Sequence, residues 1–252
     1  MNPREGDTHD GRVAVVTGAA RGIGRAICQR LAEHGATVAG VDINEMSDTE
    51  GLVRSTENGW LAVRADVASE EDAQRAAAEI EAAFGRCDIL VNNAGIYPYR
   101  DWDEMDFATW RRVISVNLDS QFLMCQALVP LMKRNAWGRI VNITSGSLLS
   151  PGGRLTAYKA AKAGVIGFTR GLAADLGAYG ITVNAVGPAL TRTPGVIEAG
   201  NVGSLENSLQ RLIIKRIPEP DDVVGTVLFL TSEDSAFVTG QTIMANGGGG
   251  FL

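Results

Sequence analysis

A glycine-rich turn at the end of a buried strand constrains this chain more than any other feature. Val13-Ala14-Val15-Val16 is a short, apolar, β-branched run, the pattern of a strand covered on both faces of a parallel sheet. It runs straight into Thr17-Gly18-Ala19-Ala20-Arg21-Gly22-Ile23-Gly24. A helical pattern follows over 22–34, then Gly35, then a second strand over 37–41. Parallel neighbours need a crossover connection, so the chain must supply helices that cover both faces of one sheet.

The remaining sequence keeps that rhythm. Strands are expected at 60–64, 88–92, 139–143, 181–186 and 242–245, and helices at 69–84, 106–134, 156–177 and 220–231. Ser69 reads as an N-cap, with Glu70, Glu71 and Asp72 in the first turn behind it. The fold expected is α/β, a Rossmann-type doubly wound parallel sheet of about seven strands flanked by helices on both faces. Residues 1–11 read as a flexible polar tail and 12–252 as a single catalytic domain. Around 189–218, Gly, Pro, Asn and Ser break a weak helical pattern, which suggests a mobile lid.

Composition narrows the partners. The 252 residues are 45% hydrophobic and 21% charged, ordinary for one sheet covered by helices. With 23 basic against 29 acidic residues the net charge is −6, and no Lys/Arg stripe forms, which argues against nucleic acid. Cys28, Cys87 and Cys125 are widely spaced, and with only His9 and His34 beside them no metal site is expected. The first eleven residues lack an apolar stretch, and no apolar run approaches the ~20 residues that span a bilayer. A cytoplasmic protein is expected.

Glycines after a strand let the backbone approach a pyrophosphate, and the helix start offers it free amides and a positive dipole end. Gly18, Arg21, Gly22, Ile23 and Gly24 are therefore a candidate dinucleotide cradle; an isolated glycine cluster would be only a turn. Asp42, ending the second strand, can accept hydrogen bonds from a ribose 2′-hydroxyl and would repel a 2′-phosphate, which favours NAD over NADP. Arg21 is open between reaching a 2′-phosphate and standing solvated in its loop. Asp66 and Val67 stand where an adenine amino group would be bound, or cap a strand end. Asn93, Ala94 and Gly95 form a turn that tolerates left-handed backbone and can press on the ribose.

Tyr158 and Lys162 are four residues apart in Tyr158-Lys159-Ala160-Ala161-Lys162, with Ser145 thirteen residues upstream. On a helix such a pair shares a face, so the lysine charge can act on the phenol. Bringing a tyrosine from a pKa near 10 toward ~7 needs roughly 3–4 kcal/mol of preferential phenolate stabilisation, which a nearby cation in a dry site can supply. Such a tyrosine serves general acid–base chemistry; a chance pair on a half-exposed helix is the alternative.

Together these motifs resemble the short-chain dehydrogenase/reductase family. The resemblance runs from Arg12 to Gly248 and is carried by 17–24, 92–95, Asn117, Ser145, 158–162 and 184–188. It implies a catalytic tetrad of Asn117, Ser145, Tyr158 and Lys162. Ser145 would hold the substrate oxygen and Tyr158 would take the alcohol proton. Lys162 would hold the nicotinamide ribose and depress the tyrosine pKa, and Asn117 would kink its helix and position a water. Pro188, Thr191 and Thr193 would border the nicotinamide, although Pro188-Ala189 replaces the usual Pro-Gly and Ala161 replaces the usual Ser. The family is usually tetrameric, so a homotetramer is expected.

For the substrate pocket, Tyr97, Ser145, Ser147, Leu148 and Tyr158 are the candidate contacts, with Tyr99 and Trp102 nearby and mostly apolar surroundings. Residues 84–98 and 132–138 are similar to phenylethanol dehydrogenase-like members. The activity expected is hydride transfer between NAD and a secondary alcohol or its ketone, aryl or alicyclic. The alternatives are an NADPH-dependent 3-oxoacyl-thioester reductase and a non-catalytic dinucleotide sensor.

Overall fold

The computed structural model of the protein describes residues 8–198, 200 and 202–251. Seven strands form one sheet: β1 (Val13–Thr17), β2 (Thr37–Asp42), β3 (Trp60–Arg64), β4 (Ile89–Asn92), β5 (Gly138–Ile143), β6 (Ile181–Val186) and β7 (Thr242–Ile243). Their order is β3-β2-β1-β4-β5-β6-β7, and every neighbouring pair is parallel. β1 pairs with β2 on one side and β4 on the other, so the winding reverses there. In such sheets the crevice for a ligand opens beyond the carboxyl ends of the strands at this reversal.

Side chains alternate across the buried strands, as the two-residue period of a strand requires. Val15, Leu90, Ile140 and Val183 pack with residues of α3 (Glu70–Phe84), α5 (Ser120–Arg134) and α6 (Thr156–Leu176). Ala14, Val16, Val91 and Val141 pack on the other face with α1 (Gly22–Glu33) and α9 (Asp221–Thr231). Covering both faces explains why β1, β4, β5 and β6 are buried along their whole length. The N-cap of α3 forms as its sequence suggests: the Asp72 amide donates to Ser69 Oγ, and Gly85 closes the helix at φ +70°.

Several elements differ from the sequence expectations. An additional helix, α2 (Ser47–Arg54), joins β2 to β3; only Thr49 and Val53 are buried in it, too few to give a periodic apolar signal. The helix expected over 106–134 is divided into α4 (Phe107–Ile114), a π-helical turn (Ser115–Asp119) and α5. The segment expected as a lid carries two short helices, α7 (Pro194–Glu198) and α8 (Val202–Leu209), while α9 provides the crossover to β7.

The expected tail also differs at its inner end. His9 is 1% exposed, its amide donates to the His34 carbonyl, and its ring contacts Thr231 of α9. Residues 1–7 lie outside the described residues. Cys28, Cys87 and Cys125 are free and buried.

Candidate active site

The glycine turn and the turn after β4 are locked together. Thr17 Oγ1 accepts the amides of Asn93 and Ala94, both at 3.0 Å, and the Asn93 side chain donates back to Thr17 O at 2.9 Å. Gly18 has φ +67° and its missing Cβ would stand 2.9 Å from Ala94 Cα, so no larger residue fits between the turns. Gly24 does not line the cleft: a Cβ there would meet Gly18 O at 2.1 Å, so this glycine is needed for helix-to-turn packing instead. Gly18, Arg21, Gly22 and Ile23 do line it. Arg21, the N-cap of α1, makes no side-chain capping bond, and no acidic residue stands in the first turn. That leaves the helix start suited to an anion.

At the adenine end, Asp42 is 9% exposed and borders the cleft. Its Oδ2 accepts the Ala20 amide at 2.9 Å and its Oδ1 accepts the Asn44 amide at 2.9 Å, so the carboxylate is held in place by backbone. Asp66 and Val67 line the same end. Asp66 Oδ1 accepts the Ala68 amide, while Oδ2 receives both terminal nitrogens of Arg112 at 3.3 Å. Nothing local in the sequence links Arg112, of α4, to Asp66. Arg21 is half-exposed in its loop, and its Nη1 pairs with Glu198 of α7 at 2.5 Å, joining the glycine turn to the lid.

The four residues expected to be catalytic come from three places in the fold, the π-helical turn, the end of β5 and α6, and meet at one cleft of about 700 Å³. Ser145, just beyond β5, is 8% exposed; its Oγ accepts the Ser147 amide at 3.1 Å, donates to Ser147 Oγ at 2.9 Å, and stands near the Tyr158 phenol. Lys162 is 2% exposed and donates to Ile143 O at 2.7 Å, with its Nζ 5.7 Å from the centre of the Tyr158 ring. Asn117 sits in the π-helical turn, and its amide nitrogen donates to Ile96 O and Val113 O. Its Oδ1 is buried without a hydrogen-bond partner among the described residues. A Cβ on Gly95 would lie 2.6 Å from that oxygen and 3.7 Å from Lys162 Nζ, so both groups face the same point.

The electrostatics depart from the sequence reading. Burial pushes the Tyr158 phenol up to about 12, with the neighbouring Ser145 hydroxyl opposing and Tyr97 and Tyr99 adding to the rise. Burial pushes Lys162 down to about 7. The expected lowering of the tyrosine by the lysine is therefore not what this site displays. Removing either charge from water outweighs their attraction, and the lysine is engaged with a carbonyl rather than with the phenol.

Toward the lid, Pro188, Thr191 and Thr193 line the cleft. Thr191 donates to Ala189 O at 3.0 Å, and Thr193, near Tyr97, opposes the rise that burial gives the Tyr97 phenol. The Tyr97 ring stands edge-on to Tyr158 at 6.0 Å. Of the expected substrate contacts, Tyr97, Ser145, Ser147 and Tyr158 line the cleft and Leu148 does not; Trp102 is 74% exposed and away from it. The lining is mostly apolar, as expected, with one polar stretch. Ser204, Asn207, Ser208 and Arg211 turn toward the cleft from α8 and its end. Their i, i+3, i+4, i+7 spacing was a polar helical stripe readable in the sequence.

These residues fit a dinucleotide. Gly18 and Gly22 border the cleft with backbone alone, the α1 N-terminus is uncapped, and an orphaned Asn117 oxygen faces the cleft beside Lys162. Such a sheet, cradle and Ser-Tyr-Lys cluster define a dinucleotide-dependent oxidoreductase. Comparison with known proteins gives the family. Residues 18–249 match the family model described as enoyl-(acyl carrier protein) reductase. The chain is similar to (2S)-[(R)-hydroxy(phenyl)methyl]succinyl-CoA dehydrogenase subunit BbsD of Thauera aromatica, 40% identical over 94% of this chain and 96% of that one. It is also similar to a 3-oxoacyl-(acyl-carrier-protein) reductase of Staphylococcus epidermidis, 38% identical over 93% and 97%. Among solved structures, levodione reductase superposes with a TM-score of 0.90 at 30% identity, covering 95% of this chain and 97% of that one. The chain belongs to the short-chain dehydrogenase/reductase family.

Proposed function

We propose that the protein transfers a hydride reversibly between NAD and a secondary alcohol or its ketone, with an aryl or alicyclic substituent. The observation that carries this reading is the meeting of Tyr158, Ser145 and Lys162 at the cleft that the glycine turn borders. In the oxidative direction Ser145 Oγ holds the substrate oxygen and Tyr158 Oη takes the hydroxyl proton as its own phenolic proton passes toward Lys162. Lys162, close to neutrality in its acidity, takes or returns a proton on the buried side of the tyrosine. A bound nicotinamide supplies the hydride acceptor or donor. Asn117 and Lys162, facing one point at Gly95, hold the inner end of this arrangement.

Asp42 supports NAD, because its carboxylate lies on the cleft wall at the end of β2 and would repel a 2′-phosphate. The Thauera relative's name supports a benzylic secondary alcohol, and levodione reductase supports a ketone as the other partner. A second reading, 3-oxoacyl-thioester reduction with NADPH, is favoured by the Staphylococcus relative. One assay separates them: NAD or NADP with aryl, alicyclic and hydroxyacyl alcohols, followed by the absorbance of reduced nicotinamide. Turnover of hydroxyacyl thioesters with NADP alone sinks the first reading, and cofactor binding with no turnover favours a sensor.

A homotetramer in the cytoplasm is proposed with this function. Phe122 is 50% exposed beside a hollow lined by Leu118, Gly164 and Phe168, a surface suited to helix packing between copies. Elution as a monomer on gel filtration removes that part. No helix of the described residues is long and apolar enough to cross a membrane.

A further inference from the structure

Among the described residues, five cationic side chains line the cleft, and three are accounted for. Arg21 pairs with Glu198, Arg112 with Asp66, and Lys162 belongs to the Ser-Tyr-Lys cluster. The other two, Lys159 and Arg211, have no acidic partner among the described residues, and both converge on Ser150. Arg211 Nη1 donates to Ser150 Oγ at 2.7 Å, and Lys159 Nζ donates to Ser150 O at 2.6 Å and Gly152 O at 2.7 Å. Among the described residues, the only acidic ones lining the cleft, Asp42 and Asp66, are at its adenine end. Two cations therefore stand at the substrate end with no carboxylate opposite them, in a chain whose net charge is −6.

Their hydrogen-bonding capacity is mostly unspent. A guanidinium has five N–H donors and Arg211 uses one; an ammonium has three and Lys159 uses two. The Ser150 hydroxyl, accepting from Arg211, keeps its own proton to give. We infer that Arg211, Lys159 and Ser150 form an anion subsite, which selects substrates bearing a carboxylate on the carbon chain beyond the reacting alcohol or ketone. A planar guanidinium edge suits a carboxylate, and charge-assisted bonds there discriminate charged from neutral substrates by about 10- to 100-fold.

The inference deepens the hydride-transfer reading and rests on it for the kinetic arm alone. The test uses 4-oxo-4-phenylbutanoate and 5-oxo-5-phenylpentanoate, each against its own methyl ester, so that one charge is the sole large difference. Rates with NADH and dissociation constants by calorimetry in the presence of NADH are measured for wild type, Arg211→Ala and Arg211→Lys. The expected result is a preference for at least one acid over its ester of about tenfold or more, shrinking toward unity in Arg211→Ala and partly kept in Arg211→Lys. Melting temperature checks that each variant is folded.

Equal losses on acid and ester in Arg211→Ala would mean that Arg211 only tethers the lid to Ser150, and the inference falls. It falls as well if wild type shows no preference for either acid by rate or by affinity. Absence of turnover on all four compounds, with the acids still bound more tightly through Arg211, overturns hydride transfer and leaves the subsite standing.

Discussion

The Lys162 ammonium donates to the Ile143 carbonyl at 2.7 Å and lies 5.7 Å from the centre of the Tyr158 ring. The i, i+4 spacing brings the two residues to one face of α6, yet the lysine is anchored to the end of β5. Burial makes a charge unfavourable on both, and the group whose acidity comes to rest near neutrality is the lysine.

Lys162 is accordingly expected to titrate near 7 in the cofactor-free protein, far below the ~10.4 of a free lysine. Carbon-13 NMR of labelled lysine, with Lys162→Met to assign the signal, measures it directly; titration near 10 contradicts the site described above. In the holoenzyme, Tyr158→Phe should lower kcat by about 10²- to 10⁴-fold with cofactor affinity nearly unchanged. Near-normal turnover in that variant would remove Tyr158 as the acid–base group.

Asp42 sets the nucleotide preference if the proposed function holds. Asp42→Ser removes the negative charge and should raise the NADP-to-NAD ratio of kcat/KM by about tenfold or more. It also deprives the Ala20 and Asn44 amides of their acceptors, with a stability loss of about 1–3 kcal/mol. Kinetics with both cofactors and a urea titration check the two effects separately. An unchanged ratio would move the discrimination to another residue, with Arg21 the first to test.

Gly24 tests packing rather than conformation. Its backbone is helical, so alanine would ordinarily be favoured there, but the added Cβ would stand 2.1 Å from Gly18 O and 2.6 Å from Asn93 Nδ2. Gly24→Ala should destabilise the fold by about 1–3 kcal/mol and weaken cofactor binding together, because the turn it displaces is the cradle. A melting curve and a fluorescence titration with NADH follow both. A stable variant with intact affinity would mean that the glycine turn can shift freely.

The sheet was legible because every buried strand is a compact apolar run beside a glycine or asparagine turn. Asn117, Ser145, Tyr158 and Lys162 were legible through a family pattern that spans distant segments. What escaped depended on pairings with no local signal. Arg112 meets Asp66 across 46 residues and Arg21 meets Glu198 across 177, distances at which sequence spacing is silent. α2 escaped because a helix burying only two residues has almost no period to read. Proximity to Ser145 points Leu148 to the cleft, but the tight turn after Ser145 directs Ser147 there and not its neighbour.

His9 shows how far the packed structure extends into the stretch read as a tail, and it gives a pH test. Thr231 Oγ1 donates to Val227 O at 2.9 Å, so His9 Nε2 carries the proton and donates to Thr231 Oγ1 at 2.8 Å. Nδ1 is then an acceptor for the Thr8 hydroxyl at 2.8 Å. Burial, with His34 and Arg12 nearby, pushes the His9 pKa down to about 4, against about 6.5 in an unfolded chain. Between those values the unfolded chain binds the extra proton, so this contribution to stability is full above about pH 6.5 and declines as pH falls toward 4. His9→Gln keeps an amide donor for Thr231 and has no charge to gain. Its urea-unfolding free energy should fall less steeply than the wild type's across that window. Parallel curves for the two proteins would mean that His9 takes up no extra proton on unfolding.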